Sequence, residues 1–483
     1  MSRKRYAYCS KKPVSSYSGR NFLMYLDVTR LLERVRAQSP TGIDRVEFEY
    51  AKYLHVNGAN LVTQIGERMV IVPADVSREL LDFAAKRWNG TNGAAATMMP
   101  KRFAAWDRRL EAERCVSKVL VALRNGRIRE AFLTAFLSTI SSVGSAPQSA
   151  KVRRTLILLE LLKRLFFPSS AVVWLGRAPM QEQTWYINVG HTGLNKSHML
   201  NHLRTVCGIQ IAIYIHDLLP VSHPHLFREG ERDKHLTRIA NVERNANVVL
   251  TNSRFTAGEL FKRTNIKDAA VLEIGTLAHG GGGVAADARS GFVSIGTVEP
   301  RKNYIWLVRC WLEFCEAHPE LVGNEKLTIF GRAGWLSGAE KLELDKMADQ
   351  RSRVQIISGA SDREIGEKVA SARAYVSAAH VEGWGMPLAE SLSAGTPVIA
   401  SDVPAHREVT QDQARFFRPG SADELIQLLT KCFDQREYEQ MLQATSRFRP
   451  WGWDEHFKKL EAILSQSAGS GFSNMRQKFF DVA

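Results

Sequence analysis

The sequence predicts an α/β protein built from two doubly wound, Rossmann-like domains, and three observations lead there. Short β-branched apolar runs alternate with amphipathic stretches along most of the chain, as strands buried in a parallel sheet do between covering helices. A chain of 483 residues is too long for one ordinary domain. A run of glycines at 280–283 interrupts the alternation, and because glycine loses the most backbone entropy on ordering, this stretch reads as a linker between two units.

The elements follow in order. A basic tail, 1–19, precedes the first domain, 20–279. Its expected strands lie at 22–28, 60–64, 69–72, 172–175, 185–189, 210–216 and 248–251, with helices at 42–54, 197–206 and 253–263. From about 85 to 170 the alternation stops, and an Arg-rich helical stretch, including Arg108, Arg109, Arg114, Arg153 and Arg154, reads as a helical basic insertion. After a Gly-rich linker, 280–290, the second domain, 291–450, offers strands at 291–296, 327–330, 354–357, 374–377 and 397–400. A helix and tail, 451–483, close the chain.

Composition narrows the function classes. No uninterrupted apolar run of about 18 residues occurs, so a membrane-spanning helix is not expected. The N-terminus is basic but leads into Ser and Tyr rather than an apolar segment, which argues against a signal peptide. Six cysteines without a C-x-x-C pair suit reduced thiols in a cytoplasmic protein. Residues 1–200 carry 31 Lys+Arg against 15 Asp+Glu, and residues 201–483 carry 34 against 35. The whole positive excess therefore lies in the first two-fifths, which points to an anionic surface or ligand met by one end of the molecule. No G-x-G-x-x-G, H-E-x-x-H or zinc-type Cys/His pattern is present, which argues against a nicotinamide enzyme or a zinc site. A pI near 9.6 raises a nucleic-acid-binding protein as an alternative, but no such motif and no aromatic platform accompanies the charge.

The richest segment is Glu382-Gly383-Trp384-Gly385-Met386-Pro387-Leu388-Ala389-Glu390, continuing to Glu408. It follows an expected strand, passes two glycines and enters a helix near Pro387, a residue suited to a first turn. A glycine loop opening a helix presents unpaired N–H groups and the positive end of the dipole, a place for an anion. The carboxylates of Glu382 and Glu390 can reach opposite ends of one ligand from there.

This text resembles the large retaining glycosyltransferase family 4, whose E-x7-E signature matches Glu382 and Glu390. The resemblance implies a GT-B fold, two Rossmann-like domains facing a central cleft. It further implies that Glu382 approaches the donor sugar and Glu390 the ribose hydroxyls, with Gly383, Trp384, Gly385, Met386, Pro387 and Leu388 around the donor. Ser294-Ile295-Gly296-Thr297-Val298-Glu299-Pro300-Arg301-Lys302-Asn303 is similar to the family's first strand and loop, at the mouth where open α/β sheets bind ligands. There Lys302 matches the lysine that neutralises the donor diphosphate. Many relatives place an arginine directly after Gly296; this chain has Thr297, so Arg301 is expected to supply that charge. An Arg-Lys pair standing alone is ordinarily just solvated surface.

In the first domain His216-Asp217 resembles the family's strand-end H-D pair, with His216 expected to orient the donor sugar. The loop from Thr41 through Gly42 resembles the family's glycine loop, and His191 in a second loop is a candidate acceptor contact. The family text covers roughly 20–28, 41–54 and 185–465, and leaves the insertion outside it.

The expected activity is transfer of a hexose or deoxyhexose, GDP-mannose-like or dTDP-rhamnose-like, with retention. The expected acceptor is a saccharide or a polyprenyl-diphosphate-linked saccharide in surface polysaccharide assembly. Glu382, His216 and Lys302 are the expected catalytic residues. No metal is expected, since no Asp-x-Asp motif occurs, and no cofactor beyond the nucleotide sugar. The basic insertion suggests peripheral docking on the inner face of the plasma membrane. A GT-B sugar phosphorylase or a soluble disaccharide synthase shares the donor-side text and stays open as an alternative.

Overall fold

The structure is a computed structural model and describes residues 22–37, 39–66, 68–88, 98–124, 173–175, 183–277, 284–349 and 353–469. The basic tail, most of the insertion, the four glycines and the end of the C-terminal tail lie outside the described residues.

Two sheets form the frame. The first has eight strands: β1 (Leu23–Asp27), β2 (Asn60–Ile65), β3 (Arg68–Ile71), β4 (Val173–Trp174), β5 (Thr184–Asn188), β6 (Gln210–Ile215), β7 (Val248–Thr251) and β8 (Ala270–Val271). Their order is β4-β3-β2-β1-β5-β6-β7-β8, parallel throughout except at β3 and β4. The second has β9 (Phe292–Ile295), β10 (Leu327–Phe330), β11 (Val354–Ile357), β12 (Ala374–Ser377), β13 (Val398–Ser401) and β14 (Arg415–Phe417). It is fully parallel, in the order β11-β10-β9-β12-β13-β14. Numbered within the domain this is 3-2-1-4-5-6, so the strand order reverses beside β9 and opens a crevice at the C-terminal strand ends there. Central strands such as Val248–Thr251 and Val398–Ser401 are buried at every position, which is why they read as continuous apolar runs.

Two strands were not expected, β8 and β14. Both are short edge strands, and β14 begins Arg-Phe-Phe after a polar turn, so neither offers the length or alternation that marks a strand. The expected insertion also needs correction at its start. Helix Ala74–Trp88 runs through position 85 as part of the first domain, and Phe103, Trp106 and Leu110 of helix Lys101–Arg124 are buried in the same core. Phe83 and Phe103 pack with ring centroids 6.1 Å apart. The apolar positions in this part of the basic stretch are thus turned into the protein. No helix among the described residues is long and apolar enough to cross a membrane.

The last helix, Trp453–Gly469, follows the second domain in sequence but packs on the first. Phe457 stacks on Tyr53 at 3.9 Å, His456 bonds the Tyr50 hydroxyl at 2.8 Å, and Lys459 pairs with Glu273 at 2.9 Å. The chain therefore returns to the first domain after the second, and this helix ties the two together. Two Rossmann-like domains facing a shared cleft constitute the GT-B arrangement.

Candidate active site

The cleft, a cavity of about 390 Å³, is lined from both domains. On the second domain the chain leaves β9 at Ile295, passes Gly296 and Thr297, and makes a single 3-10 turn over Pro300–Lys302. That turn brings Arg301 and Lys302 back over the crevice. The chain leaving β12 delivers Glu382, and the three side chains meet. Arg301 Nη1 donates to both Glu382 oxygens at 2.9 and 3.0 Å, and Lys302 Nζ donates to Oε2 at 2.5 Å. Arg301 Nε also holds Glu299 at 3.0 Å. Burial alone would raise the Glu382 carboxyl, but Arg301 and Lys302 outweigh it and hold the group down at about 2. Glu382 is therefore an anion at any physiological pH, and with Glu299 it balances the two cations, Arg301 and Lys302.

Helix Met386–Ser393 begins directly beyond. Its N-cap is Gly385, held in the left-handed region at φ 96°, and no side chain caps it. Pro387 has no N–H and Leu388 N donates back to the Gly385 carbonyl at 3.0 Å, so the helix offers the crevice chiefly the positive end of its dipole. Gly383 is required for a different reason. A Cβ there would lie 2.7 Å from the His216 carbonyl oxygen and 2.9 Å from Asp217 Cβ, so at this point the second domain touches the first. Ser253 Oγ donates to the Gly383 carbonyl at 3.1 Å across the same seam.

The first domain supplies His216 and Asp217 at the end of β6. His216 Nε2 lies 2.7 Å from the Val189 carbonyl, which can only accept, so the ring donates there and its Nδ1 carries the lone pair. Burial lowers this imidazole to about 4, and it is neutral near pH 7. The loop to helix Gly42–Val56 is fixed by a capping box. Thr41 N donates to Asp44 Oδ2 at 2.7 Å, and Asp44 N donates to Thr41 Oγ1 at 3.4 Å. Gly42 then sits across the cleft from Met386, whose sulfur would lie 3.6 Å from a Cβ there.

The lining includes Gly42, His216, Asp217, Gly296, Thr297, Arg301, Lys302, Glu382, Gly383, Trp384, Gly385, Met386, Pro387 and Glu390. Two expected residues are elsewhere. His191 lies behind His216, with its Nε2 2.9 Å from the Tyr214 carbonyl, and it is absent from the cleft wall. Its loop position at φ 60° turns the ring toward the sheet rather than the cleft. Leu388 points into the apolar core at 1% exposure, because it falls on the inward side of the helix that Pro387 begins.

Several residues at the site were not anticipated. Arg30 and Arg34 converge on the buried Asp44, and Arg45 forms a two-point pair with Asp362 across the cleft at 2.8 and 2.5 Å. His406 is fully buried beneath Glu382, donates from Nδ1 to the Ser401 carbonyl at 2.8 Å, and is lowered by burial to about 4. Glu408 accepts from the N–H groups of Arg254 and Phe255 at 2.7 and 3.1 Å, so a carboxylate of one domain caps a helix of the other. Arg332 follows β10 in Phe330-Gly331-Arg332-Ala333-Gly334; the strand-end rule that found Lys302 would have found it too. Among the described residues, no group of three or more His, Cys, Asp or Glu is placed to hold a metal ion.

A GT-B frame with paired cations and a carboxylate at the switch point of its second sheet defines the class of molecule, and comparison with known proteins is consistent with it. Residues 285–448 match the family model described as "Glycosyl transferases group 1", so the chain carries a glycosyltransferase domain. The serotype-specific mannosyltransferase WbdA of Escherichia coli is 26% identical over 235 residues, 42% of this chain and 27% of that protein. The O-antigen chain mannosyltransferase RfbU of Salmonella typhimurium is 22% identical over 237 residues, 49% of this chain and 63% of that protein. The chain thus spans less than two-thirds of the length of these relatives. Among solved structures, the sucrose-phosphate synthase of Thermosynechococcus elongatus aligns at TM-score 0.46 and 15% identity, over 67% of this chain and 80% of that one.

Proposed function

We propose that the chain is a retaining glycosyltransferase of the family 4 type. It moves a hexose or deoxyhexose from a nucleotide diphosphate sugar, GDP-mannose-like or dTDP-rhamnose-like, to a saccharide or lipid-linked saccharide acceptor. The observation that carries this reading is the convergence of Arg301 and Lys302 on Glu382 beside the N-terminus of helix Met386–Ser393. The names of the mannosyltransferase relatives support the choice of sugar class.

The chemistry follows from the charges. The bond between the anomeric carbon and the diphosphate oxygen breaks as the acceptor hydroxyl oxygen bonds to the same carbon from the same face. The hydroxyl proton passes to the departing phosphate oxygen. Charge grows on the diphosphate during this step, and Arg301, Lys302 and the helix N-terminus stabilise it. Glu382 gives up part of its hold on the cations and accepts hydroxyl hydrogen bonds from the sugar. His216, neutral and with a free lone pair at Nδ1, accepts another and acts as a positioning group. Glu390 takes the ribose hydroxyls.

A thermal-shift screen against GDP-, UDP- and dTDP-sugars, followed by NMR of the anomeric linkage formed, tests the proposal. Stabilisation by one sugar nucleotide and a product of unchanged anomeric configuration are expected; an inverted product would reject the retaining assignment. Docking on an anionic inner membrane surface through residues 85–170 belongs to the same reading. Co-sedimentation with anionic liposomes at low and physiological salt tests it, and no binding at either salt removes it.

A further inference from the structure

The second domain is bridged to the first on both flanks of β9, and the two bridges are made differently. Toward β12 and β13 the bonds run to backbone groups. Ser253 Oγ donates to the Gly383 carbonyl at 3.1 Å, and Glu408 accepts from the N–H groups of Arg254 and Phe255. Toward the edge strand β11 the bridge is an ion pair between side chains. Arg45 Nη1 and Nη2 donate to Asp362 Oδ2 and Oδ1 at 2.8 and 2.5 Å, and both residues line the cavity.

Both ends of this pair are fixed. Arg45 stands near the start of helix Gly42–Val56, which the Thr41–Asp44 capping box locks. Asp362 opens helix Asp362–Ser371, where Ser361 N donates to Glu364 Oε2 at 2.7 Å and Glu364 N to Ser361 Oγ at 3.2 Å. The side chains are also largely withdrawn from water, at 16% and 17% exposure. An ion pair on an open surface is weak, but a two-point guanidinium–carboxylate pair shielded from solvent is stronger and directional. With both helix starts held, the pair lasts only while the two walls keep this spacing, and it breaks when the domains part. We propose that Arg45 and Asp362 form a gate: the pair closes the β11 flank of the cleft and must open for a ligand to enter or leave. The choice of a nucleotide as probe rests on the glycosyltransferase reading above; the gate itself does not.

The test is stopped-flow binding and displacement of whichever of GDP, UDP or dTDP binds the full chain. The parent is compared with Arg45→Glu, with Asp362→Arg and with the double variant Arg45→Glu/Asp362→Arg. Each single variant sets like charges against each other. Association and dissociation are both expected to quicken on the order of fivefold, while Kd stays within about threefold of the parent. The double variant rebuilds the pair in the reverse sense, and both rates are expected to return close to those of the parent. Parental rates in the single variants would overturn the gate. So would a loss of affinity that the double variant leaves unrepaired, since that marks Arg45 or Asp362 as a contact to the ligand itself. Should a reversed variant fail to fold, Asp362→Asn keeps the shape and removes the charge. It is expected to quicken both rates about twofold, and parental rates there overturn the gate equally. If no nucleotide binds the parent, the glycosyltransferase reading fails, and small-angle scattering of the free proteins still decides the gate. A larger radius of gyration in the single variants, reversed in the double, supports it; an unchanged radius overturns it.

Discussion

The two domains present opposite kinds of site. On the second, the residues proposed to hold the donor lie in two short contiguous stretches, 296–302 and 382–390, each a strand end followed by a helix. On the first, the wall is assembled from separated pieces: the helix holding Arg30 and Arg34, the capped loop at Thr41, and the end of β6 with His216. Under the proposed function, the difference follows from what each domain holds. A diphosphate needs cations and the positive end of a helix within a few ångströms, which one switch point supplies. A sugar or lipid-linked acceptor is broad, and its contacts come from several loops.

The sharpest way to break the comparison is to disable the donor side alone. Lys302→Ala removes a cation from the departing diphosphate while leaving Glu382 paired to Arg301. Turnover is expected to fall on the order of 10²–10³-fold, as when one donor is removed from a charge-stabilising site. The thermal midpoint is expected to change little. Steady-state rates beside a melting curve check this, and near-normal turnover would remove Lys302 from the chemistry.

Next in size is the seam between the domains. At Gly383→Ala the new Cβ meets backbone and Asp217 Cβ, neither of which can swing away, so the domains cannot close as they do here. Turnover is expected to fall about 10- to 100-fold, since small misplacements of reacting groups cost that much. Binding of the nucleotide, judged by thermal shift, is expected to survive. Loss of nucleotide binding together with turnover would mean that the glycine serves the donor loop rather than the seam.

Legibility divides along the same line. Strands β7, β10 and β12 match their expected spans, because strands buried on both faces write continuous apolar runs into the sequence; the half-exposed edge strand β11 matches its span too. Residues Glu382 through Pro387 were readable because loop and helix start are contiguous. Arg45 with Asp362, and Glu408 with the N–H groups of Arg254, were not, since each joins residues more than 150 positions apart. His191 misled because a glycine-bearing strand-end loop says where the chain turns but not which way a ring points. Leu388 misled because membership of a motif does not tell which face of its helix a residue occupies.

Acid sharpens the comparison in another way. His216, His406 and His456 are each lowered by burial to about 4 from an ordinary 6.5. The unfolded chain binds these protons first, so their contribution to stability is full above about 6.5 and is lost as pH falls toward 4. Each contributes up to about 1.4 kcal/mol per pH unit within that window. His191 and His235 are lowered by burial as well, so urea midpoints between pH 7 and 4 are expected to drop steeply, and His406→Gln to flatten the slope by at most about 1.4 kcal/mol per pH unit. Glu382, held at about 2 against an ordinary 4.5, adds to the loss only as pH falls below about 4.5.

The smallest effect separates docking of the domains from their chemistry. Glu408 reaches from the second domain to the first turn of helix Arg254–Arg263, where Ser253 already caps the Thr256 N–H at 3.0 Å. Glu408→Ala leaves that internal cap intact and removes only the bond across the interface. By analogy with the loss of a helix cap, the cost is about 1 kcal/mol. That is too little to unfold either domain but enough to shift an open–closed equilibrium about fivefold. Small-angle scattering of Glu408→Ala without ligand is therefore expected to show a larger radius of gyration, recovered when a nucleotide sugar is added. The rate at saturating substrate is expected to stay within about threefold of the parent, because no group that touches the reacting atoms has changed. A radius unchanged from the parent would show that the helix Trp453–Gly469, with His456 on Tyr50 and Phe457 on Tyr53, holds the domains together without Glu408.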